Sequence, residues 1–320
     1  MTGNPSDTKK KPAAGTIECP SLELNQCSVD EHCRALQRLA ALPFWWYLGN
    51  NRLLGNFSIP FQDRAGAWWY QVKPGLCWAV DCFAPLDRPA GLPFLKSFHG
   101  FQHVVADEGR ANSHLVINAI TDLSTYGPQA VDSKRRNAVR KGLRRCELTI
   151  PKAYDEQTFG QCRMAWNDLT ERTGWKHLAD KASFEESWRM LLDEPGATII
   201  AGRDKESGEI AGFLLTKIIG DTAYVDTIAS RTSLLKCNVN DALMYAFIMN
   251  ARDLPGVRKA HYAIRSYVET LERFKRGLGF SPVAFPARTR LRWPTRLGLR
   301  MLLPAKYKRM HGLFEDPDPS

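Results

Sequence analysis

The chain predicts an α/β protein: a mixed sheet with helices packed on it, preceded by a smaller β-rich region. Three observations carry this. Over residues 155–285 the apolar pattern switches between helical and extended periods in the order α-α-β-β-β-α-β-α-β. Residues 44–131 instead show recurrent Gly and Pro, clustered aromatics and short apolar runs, the texture of strands separated by turns. Between them, Lys134–Cys146 reads as a helix with a narrow apolar stripe of Val131, Val139 and Leu143 and cations over the rest of its surface.

In chain order, Val29, Cys33, Leu36 and Leu39-Ala40 fall at helical spacing within 28–42, and Pro43 ends that helix. Apolar runs at Leu76–Val80, His103–Ala106 and His114–Ile120 read as strands. Phe44-Trp45-Trp46-Tyr47 and Trp68-Trp69-Tyr70 read as core or inter-domain packing rather than a binding platform. After the basic helix, Leu148-Thr149-Ile150 is a short strand stopped by Pro151. Phe159, Cys162, Trp166 and Leu169 define an amphipathic helix over Asp155–Thr173, closed by Gly174. Ser183 with Glu186 three residues on forms a capping box for a second helix, whose face is Phe184, Trp188, Leu191 and Leu192. Thr198–Ala201, Ile210–Ile219 and Thr222–Ala229 are strands, the last two joined by Gly220-Asp221, a strong hairpin signal. Asn238 can cap a long helix through Arg252. Val257–Ile264, Val268–Arg276 and Phe280–Phe285 complete the order as strand, helix and strand.

The 320 residues carry 44 Lys+Arg against 34 Asp+Glu, a formal charge of +10. That length allows about two domains, and a chain 44% hydrophobic and 24% charged is neither fibrous nor disordered in bulk. No apolar stretch reaches the roughly 18–20 residues of a membrane span. Met1–Gly15 is polar and lacks a secretory h-region, so it reads as a disordered tail. The eight cysteines include no CxxC pair, which points to free thiols in a reducing cytoplasm. Charge is uneven. Lys134–Arg145 holds seven basic residues and Pro286–Met310 eight, with no acid in either segment, so each is a solvated basic face or a site for an anionic partner. His99 and His103 have the spacing of a helical metal pair, but Gly100 and the strand-like texture oppose a helix there, and no metal site is expected.

Several of these segments resemble the GNAT superfamily of acyltransferases, and within it the Fem-like (FemAB-type) branch of peptidyl and aminoacyl transferases. "SKRRNAVRKGLRR" (Ser133–Arg145) is similar to that branch's basic helix between its two halves. "IAGFLLTKIIGDTAYVDTIAS" (Ile210–Ser230) resembles the central hairpin, "KCNVNDALMYAFIMNA" (Lys236–Ala251) the helix after it, and "LERFKRGLGF" (Leu271–Phe280) the Fem-type FK-x-x-G ending. The resemblance implies a GNAT-type mixed sheet flanked by helices after a reduced GNAT-like β-rich domain. It divides the chain into a disordered tail (1–27), a reduced N-terminal domain (28–131), an acyltransferase domain (132–285) and a basic C-terminal extension (286–320).

The implied activity is N-acyl transfer: an amine attacks the donor carbonyl directly, with no covalent enzyme intermediate. The sheet opening beside Asp226, Thr227, Ile228 and Ala229 would hold the donor's amide arm as an added strand. Arg231, Lys236, Asn238 and Asn240, at the loop and helix N-terminus that follow, would hold its phosphates. Arg140, Lys141 and Arg265 would recruit anions. Lys275 stands where many members place a tyrosine acid and would stabilise an oxyanion or a phosphate. Asp226 is the candidate base, with His261, Tyr262 and Glu269 as alternatives. The loop "RTSLLKCN" lacks the glycines with which acetyl-CoA-binding members wrap a pyrophosphate, which weakens a plain acetyl-CoA reading. No permanently bound cofactor is expected, only acyl-CoA or aminoacyl-tRNA as co-substrate. The acceptor is an amine, a cell-envelope precursor among the candidates, and DNA is not a partner. The mixture of Arg with Trp293, Leu297, Met301 and Leu302-Leu303 admits peripheral contact at the inner face of the membrane. The rival reading is a catalytically inactive GNAT-fold module whose basic faces dock an anionic polymer or membrane.

Overall fold

The computed structural model describes residues 17–40, 59–87, 91–174, 181–266 and 268–312. The helices among them are α1 (Val29–Ala40), α2 (Ser133–Arg145), α3 (Glu156–Thr173), α4 (Lys181–Asp193), α5 (Val239–Arg252), α6 (Glu269–Gly277), α7 (Trp293–Leu302) and α8 (Pro304–Met310). The strands are β1 (Phe61–Gln62), β2 (Trp68–Lys73), β3 (Leu76–Ala79), β4 (Gly100–Val104), β5 (Ser113–Ile120), β6 (Cys146–Thr149), β7 (Ala197–Asp204), β8 (Ile210–Ile219), β9 (Thr222–Ser230), β10 (Lys259–Ile264) and β11 (Ser281–Leu291). They form one 11-stranded sheet in the order β1-β2-β3-β4-β11-β5-β10-β9-β8-β7-β6.

Local chemistry sets the boundaries. Asp132 accepts from the Arg135 N–H to start α2, Asp155 accepts from the Thr158 N–H to start α3, and Gly174 ends α3 at φ +68°. Gly220, at φ +61°, turns β8 into β9 with Ile219 opposite Thr222. β8 is buried along its whole length because both faces are covered. Ala211, Leu214 and Ile218 face α5, while Ile210, Phe213 and Leu215 pack with Phe159 and Trp166 of α3 and with Phe184 and Trp188 of α4. Gly202 and Gly212 are paired across β7 and β8, and a Cβ at Gly202 would overlap the Val239 side chain. This notch seats the first turn of α5 directly on the sheet.

The sheet departs from the sequence division in three places. Residues 17–27, assigned to the tail, are packed: Ile17 and Leu22 enter the core around α5, the Leu22 N–H donates to Asn250, and Cys27 bridges Ile219. β5, from the N-terminal region, lies between β10 and β11, so the sheet does not divide at residue 131. β11 runs to Leu291, past the expected stop at Phe285, because its second half pairs with β4 from Ala287↔Val104 to Leu291↔Gly100. The Phe44–Tyr47 cluster and the Ser183 side chain lie outside the described residues. Trp69 is fully buried, its indole N–H donating to Asp63 at 3.1 Å. All eight cysteines are free thiols. No helix among the described residues is long and apolar enough to cross a membrane.

Candidate active site at the parting of β9 and β10

β9 and β10 run parallel but pair at only three rungs, Thr222–Lys259, Ala223–Ala260 and Tyr224–His261. Two irregularities then part them. On β9, Leu215 opposes Thr227 while Thr216 opposes Val225, which makes Asp226 the extra residue of a bulge. On β10 the register against β5 slips between His261 and Ile264, where Ala263 adopts the left-handed φ of +59°, unusual for a residue with a Cβ. Beyond this point β10 follows β5. The β10-facing backbone edge of residues 225–230 is left without a strand partner among the described residues.

A cavity of about 920 Å³ opens on one side of this gap. Its walls are largely apolar, with Leu36 from α1, Tyr70 and Trp78 from β2 and β3, Ile117 from β5 and Leu299 from α7. Asp226 and His261 line it from the two sides of the parting, and Lys217 lines it from β8.

Behind Asp226 lies a buried polar cluster. Lys217 Nζ is 2.8 Å from Glu194 Oε1 and 3.6 Å from Asp226 Oδ2, and His32 Nδ1 is 3.4 Å from the same Glu194 oxygen. The Glu194 and Lys217 side chains are 2% and 9% exposed, against 28% for Asp226. Burial alone would discharge Lys217, but the two carboxylates and their hydrogen bonds outweigh it and raise its pKa, so it stays an ammonium. Burial and the Lys217 charge push His32 down to about 3, and burial with the Lys275 charge pushes His261 down to about 4. Both imidazoles are neutral at pH 7. His261 lies edge-on to Phe83 and close to the Tyr224 ring.

Of the residues expected from sequence, Asp226, Thr227, Ile228 and Ala229 fall on the unpaired β9 edge. Arg231 is engaged by Asp168 of α3 at 3.2 Å. Asn238 does not cap α5. At φ +56° its side chain turns back to donate to the Lys236 carbonyl, and α2 crosses so closely that a Cβ at Gly142 would lie 2.5 Å from the Asn238 oxygen. Asn240 donates to Ser230 Oγ at 3.2 Å, while its own buried carbonyl oxygen lacks a partner. Lys236 is exposed.

α2 lies along α5 and against β6. Arg135 pairs with Asp241 at 3.0 Å, and Arg145 pairs with Asp204 at 2.8 Å and Glu206 at 2.7 Å. Lys134, Arg136, Arg140, Lys141 and Arg144 make no ion pair among the described residues. Arg265 follows β10, where its N–H donates to the Val116 carbonyl, and it shares no element with Arg140 and Lys141.

Lys275 departs most from expectation. Its side chain is 1% exposed, with Nζ 3.2 Å from Glu272 Oε1 and 5.0 Å from the Tyr262 ring centroid. Glu272 also accepts from Asn118 and from the Ser266 N–H. Burial lowers the Lys275 pKa against the pull of Glu272. A side chain enclosed in this way supports β10 from behind and does not line the cavity. Lys217, Glu194 and His32 were not singled out from the sequence. The one trace they leave is Lys217 itself, a lone cation inside the apolar run of β8.

No protein-family model matches the chain, and no curated protein sequence matches it. Solved structures do. FemX shares 12% identity and a TM-score of 0.50, with 88% of this chain and 100% of that one covered. The C-terminal domain of a protein from Agrobacterium fabrum assigned as a lysylphosphatidylglycerol synthetase shares 11% and 0.50, with 90% and 98% covered. L-PGS from Bacillus licheniformis shares 13% and 0.49, with 89% and 98% covered. The fold is of the GNAT type, a mixed sheet opened between a bulged strand and its parallel neighbour. More particularly the fold is like that of FemX, the match taking in the whole of that chain and 88% of this one.

Proposed function

We propose that the chain is an N-acyltransferase that moves an acyl or aminoacyl group from an activated donor to an amine. The observation that carries this is the meeting of an unpaired strand edge with a largely apolar cavity at Asp226. A donor's amide arm pairs with the free edge at Thr227–Ala229 as an added strand. The acceptor amine enters through the cavity. Its nitrogen attacks the donor carbonyl carbon, the Asp226 carboxylate takes the amine proton directly or through neutral His261, and the carbonyl–heteroatom bond breaks as that same proton is passed to the leaving thiolate or alkoxide, which restores the carboxylate. Lys217 balances the charge of Asp226, and Glu194 fixes Lys217.

The α2 cations outside its ion pairs, with Lys134, Lys141 and Arg144 exposed and Arg136 and Arg140 half-buried, are the proposed contacts for donor phosphates, with Lys236, Asn238 and Asn240 on the neighbouring loop and helix. With no glycine in the loop before α5 and Arg231 held by Asp168, aminoacyl-tRNA or a loosely held acyl-CoA fits better than a wrapped acetyl-CoA pyrophosphate. We place Lys275 as a positioning residue for the β10 bulge. Free thiols throughout fit the cytoplasm, and the amine acceptor includes cell-envelope precursors as a class.

The test is transfer from acetyl-CoA, longer acyl-CoAs and aminoacyl-tRNA to a panel of amines. Asp226→Asn is expected to lower turnover by about 100-fold or more with the melting temperature held. Binding and turnover of none of these donors would favour the alternative, an inactive module docking an anionic polymer or membrane.

A further inference from the structure

α7 presents two opposite apolar faces, and only one of them is packed among the described residues. Thr295, Leu299 and Leu303, at i, i+4 and i+8, line the cavity. Trp293, Leu297 and Met301 have the same spacing but are offset by two residues, about 200° around the helix. They point away from the cavity and are 71%, 49% and 71% exposed, with Leu302 beside them at 79%. A protein seldom leaves such a row bare without a use for it. A third row, Arg292, Arg296 and Arg300, runs along the bare one. All three are exposed and make no ion pair among the described residues. The patch extends beyond the helix, because the Arg292 guanidinium lies 4.9 Å over the ring of Phe94, whose neighbour Leu95 is 83% exposed.

We propose that this surface docks the protein on an anionic lipid bilayer, with Trp293, Leu297, Met301, Leu302, Phe94 and Leu95 entering the headgroup–acyl boundary and the arginine row meeting lipid phosphates. The inference does not depend on the proposed acyl transfer. Apolar and cationic rows side by side on one helix suit an interface that is apolar below and anionic above. A protein groove would have to supply both chemistries in register. A second copy of this chain is disfavoured, because a two-fold contact through this face sets the two arginine rows against each other. A polynucleotide would use the arginines but leave Trp293, Met301 and Leu302 in water. Docking through α7 brings the cavity within about one helix diameter, ~10 Å, of the bilayer.

The experiment is flotation of the full chain with phosphatidylglycerol/phosphatidylcholine vesicles and with pure phosphatidylcholine vesicles, alongside transfer RNA binding and sedimentation. Binding to the anionic vesicles is expected, weaker on neutral vesicles and at high salt. Met301→Asp/Leu302→Asp, at exposed positions that the fold does not pack, should keep the melting temperature and lower the partition coefficient by about 10-fold or more. Arg296→Ala should lower it by about 5-fold. Failure to bind anionic vesicles, or unchanged binding by Met301→Asp/Leu302→Asp, overturns the proposal. So does transfer RNA binding through the arginines that ignores the apolar substitutions while vesicles compete poorly, or a dimer that the same substitutions dissolve.

Discussion

Replacing Lys217 by Met removes one charge from a buried cluster while keeping most of the side chain's volume, and its cost follows from what is left behind. Glu194 is 2% exposed and loses its 2.8 Å partner, Asp226 loses a 3.6 Å contact, and His32 is neutral and replaces neither. Stranding one member of a buried ion pair costs about 3–5 kcal/mol, or a fall in melting temperature of roughly 5–10 °C for a chain of this size. The sign with pH is the sharper signature. In the wild type, His32 titrates at about 3 when folded and 6.5 when free, so stability falls as pH drops below about 6.5. In Lys217→Met, proton uptake by Glu194, or by His32 beside it, neutralises or pairs the stranded charge. The folded variant then gains a proton over the same range in which the unfolded chain protonates free His32, so the loss of stability that the wild type shows below about 6.5 is smaller or absent in the variant. Chemical denaturation at pH 8 and pH 5 measures both slopes, and Lys217→Met/Glu194→Gln should recover most of the loss. A cost below about 1 kcal/mol, or parallel slopes for wild type and variant, would refute the reasoning.

Three further outcomes follow from packing and charge. Gly142→Val forces a side chain against the Asn238 backbone oxygen and should destabilise by about 1–3 kcal/mol in urea, with the α2–α5 crossing loosened. Asp204, held down to about 2 by Arg145 and the Ser207 contacts despite its burial, contributes stability that is complete above its ordinary 3.8 and is lost as pH falls through about 2. Acid titration of Asp204→Asn should lack this loss, about 2 kcal/mol. Arg140→Ala/Lys141→Ala should weaken donor binding and flatten its salt dependence, and identical affinities at two salt concentrations would make α2 a solvated face.

The helices α1 to α6 and the β8–β9 hairpin were legible because each is written locally, in spacings such as Phe159–Cys162–Trp166–Leu169 and in the Gly220-Asp221 turn, whereas α7 and α8 were read only as a basic extension. The position of Asp226 on that hairpin was legible in the same way, though not the bulge it occupies. What the sequence hid is non-local. Glu194 and Lys217 are separated by a strand and a turn, and nothing in their spacing announces that Gly196 folds one back onto the other. His32 comes from a different part of the chain altogether. The enclosure of Lys275 was equally invisible, since α6 alone reads as a surface helix until Asn118 and Tyr262 are brought over it. Leu22 and Cys27 looked like tail because a short extended segment with Pro and Asn has no period to detect, yet α5 and β8 give it a surface to pack on.

The insertion of β5 between β10 and β11 has a temporal side. Ile120 finds its partner Ala260 roughly 140 residues further along the chain, so on the ribosome β5 is exposed long before either neighbour is synthesised. A strand with such distant partners folds late and is open to mispairing while it waits. The N-terminal region is thus not a domain that can finish first. Cutting the chain near residue 131 would strip β11 of both its neighbours, β4 and β5, and leave β10 with an open edge, and separate expression of the two parts should yield aggregates that co-expression relieves.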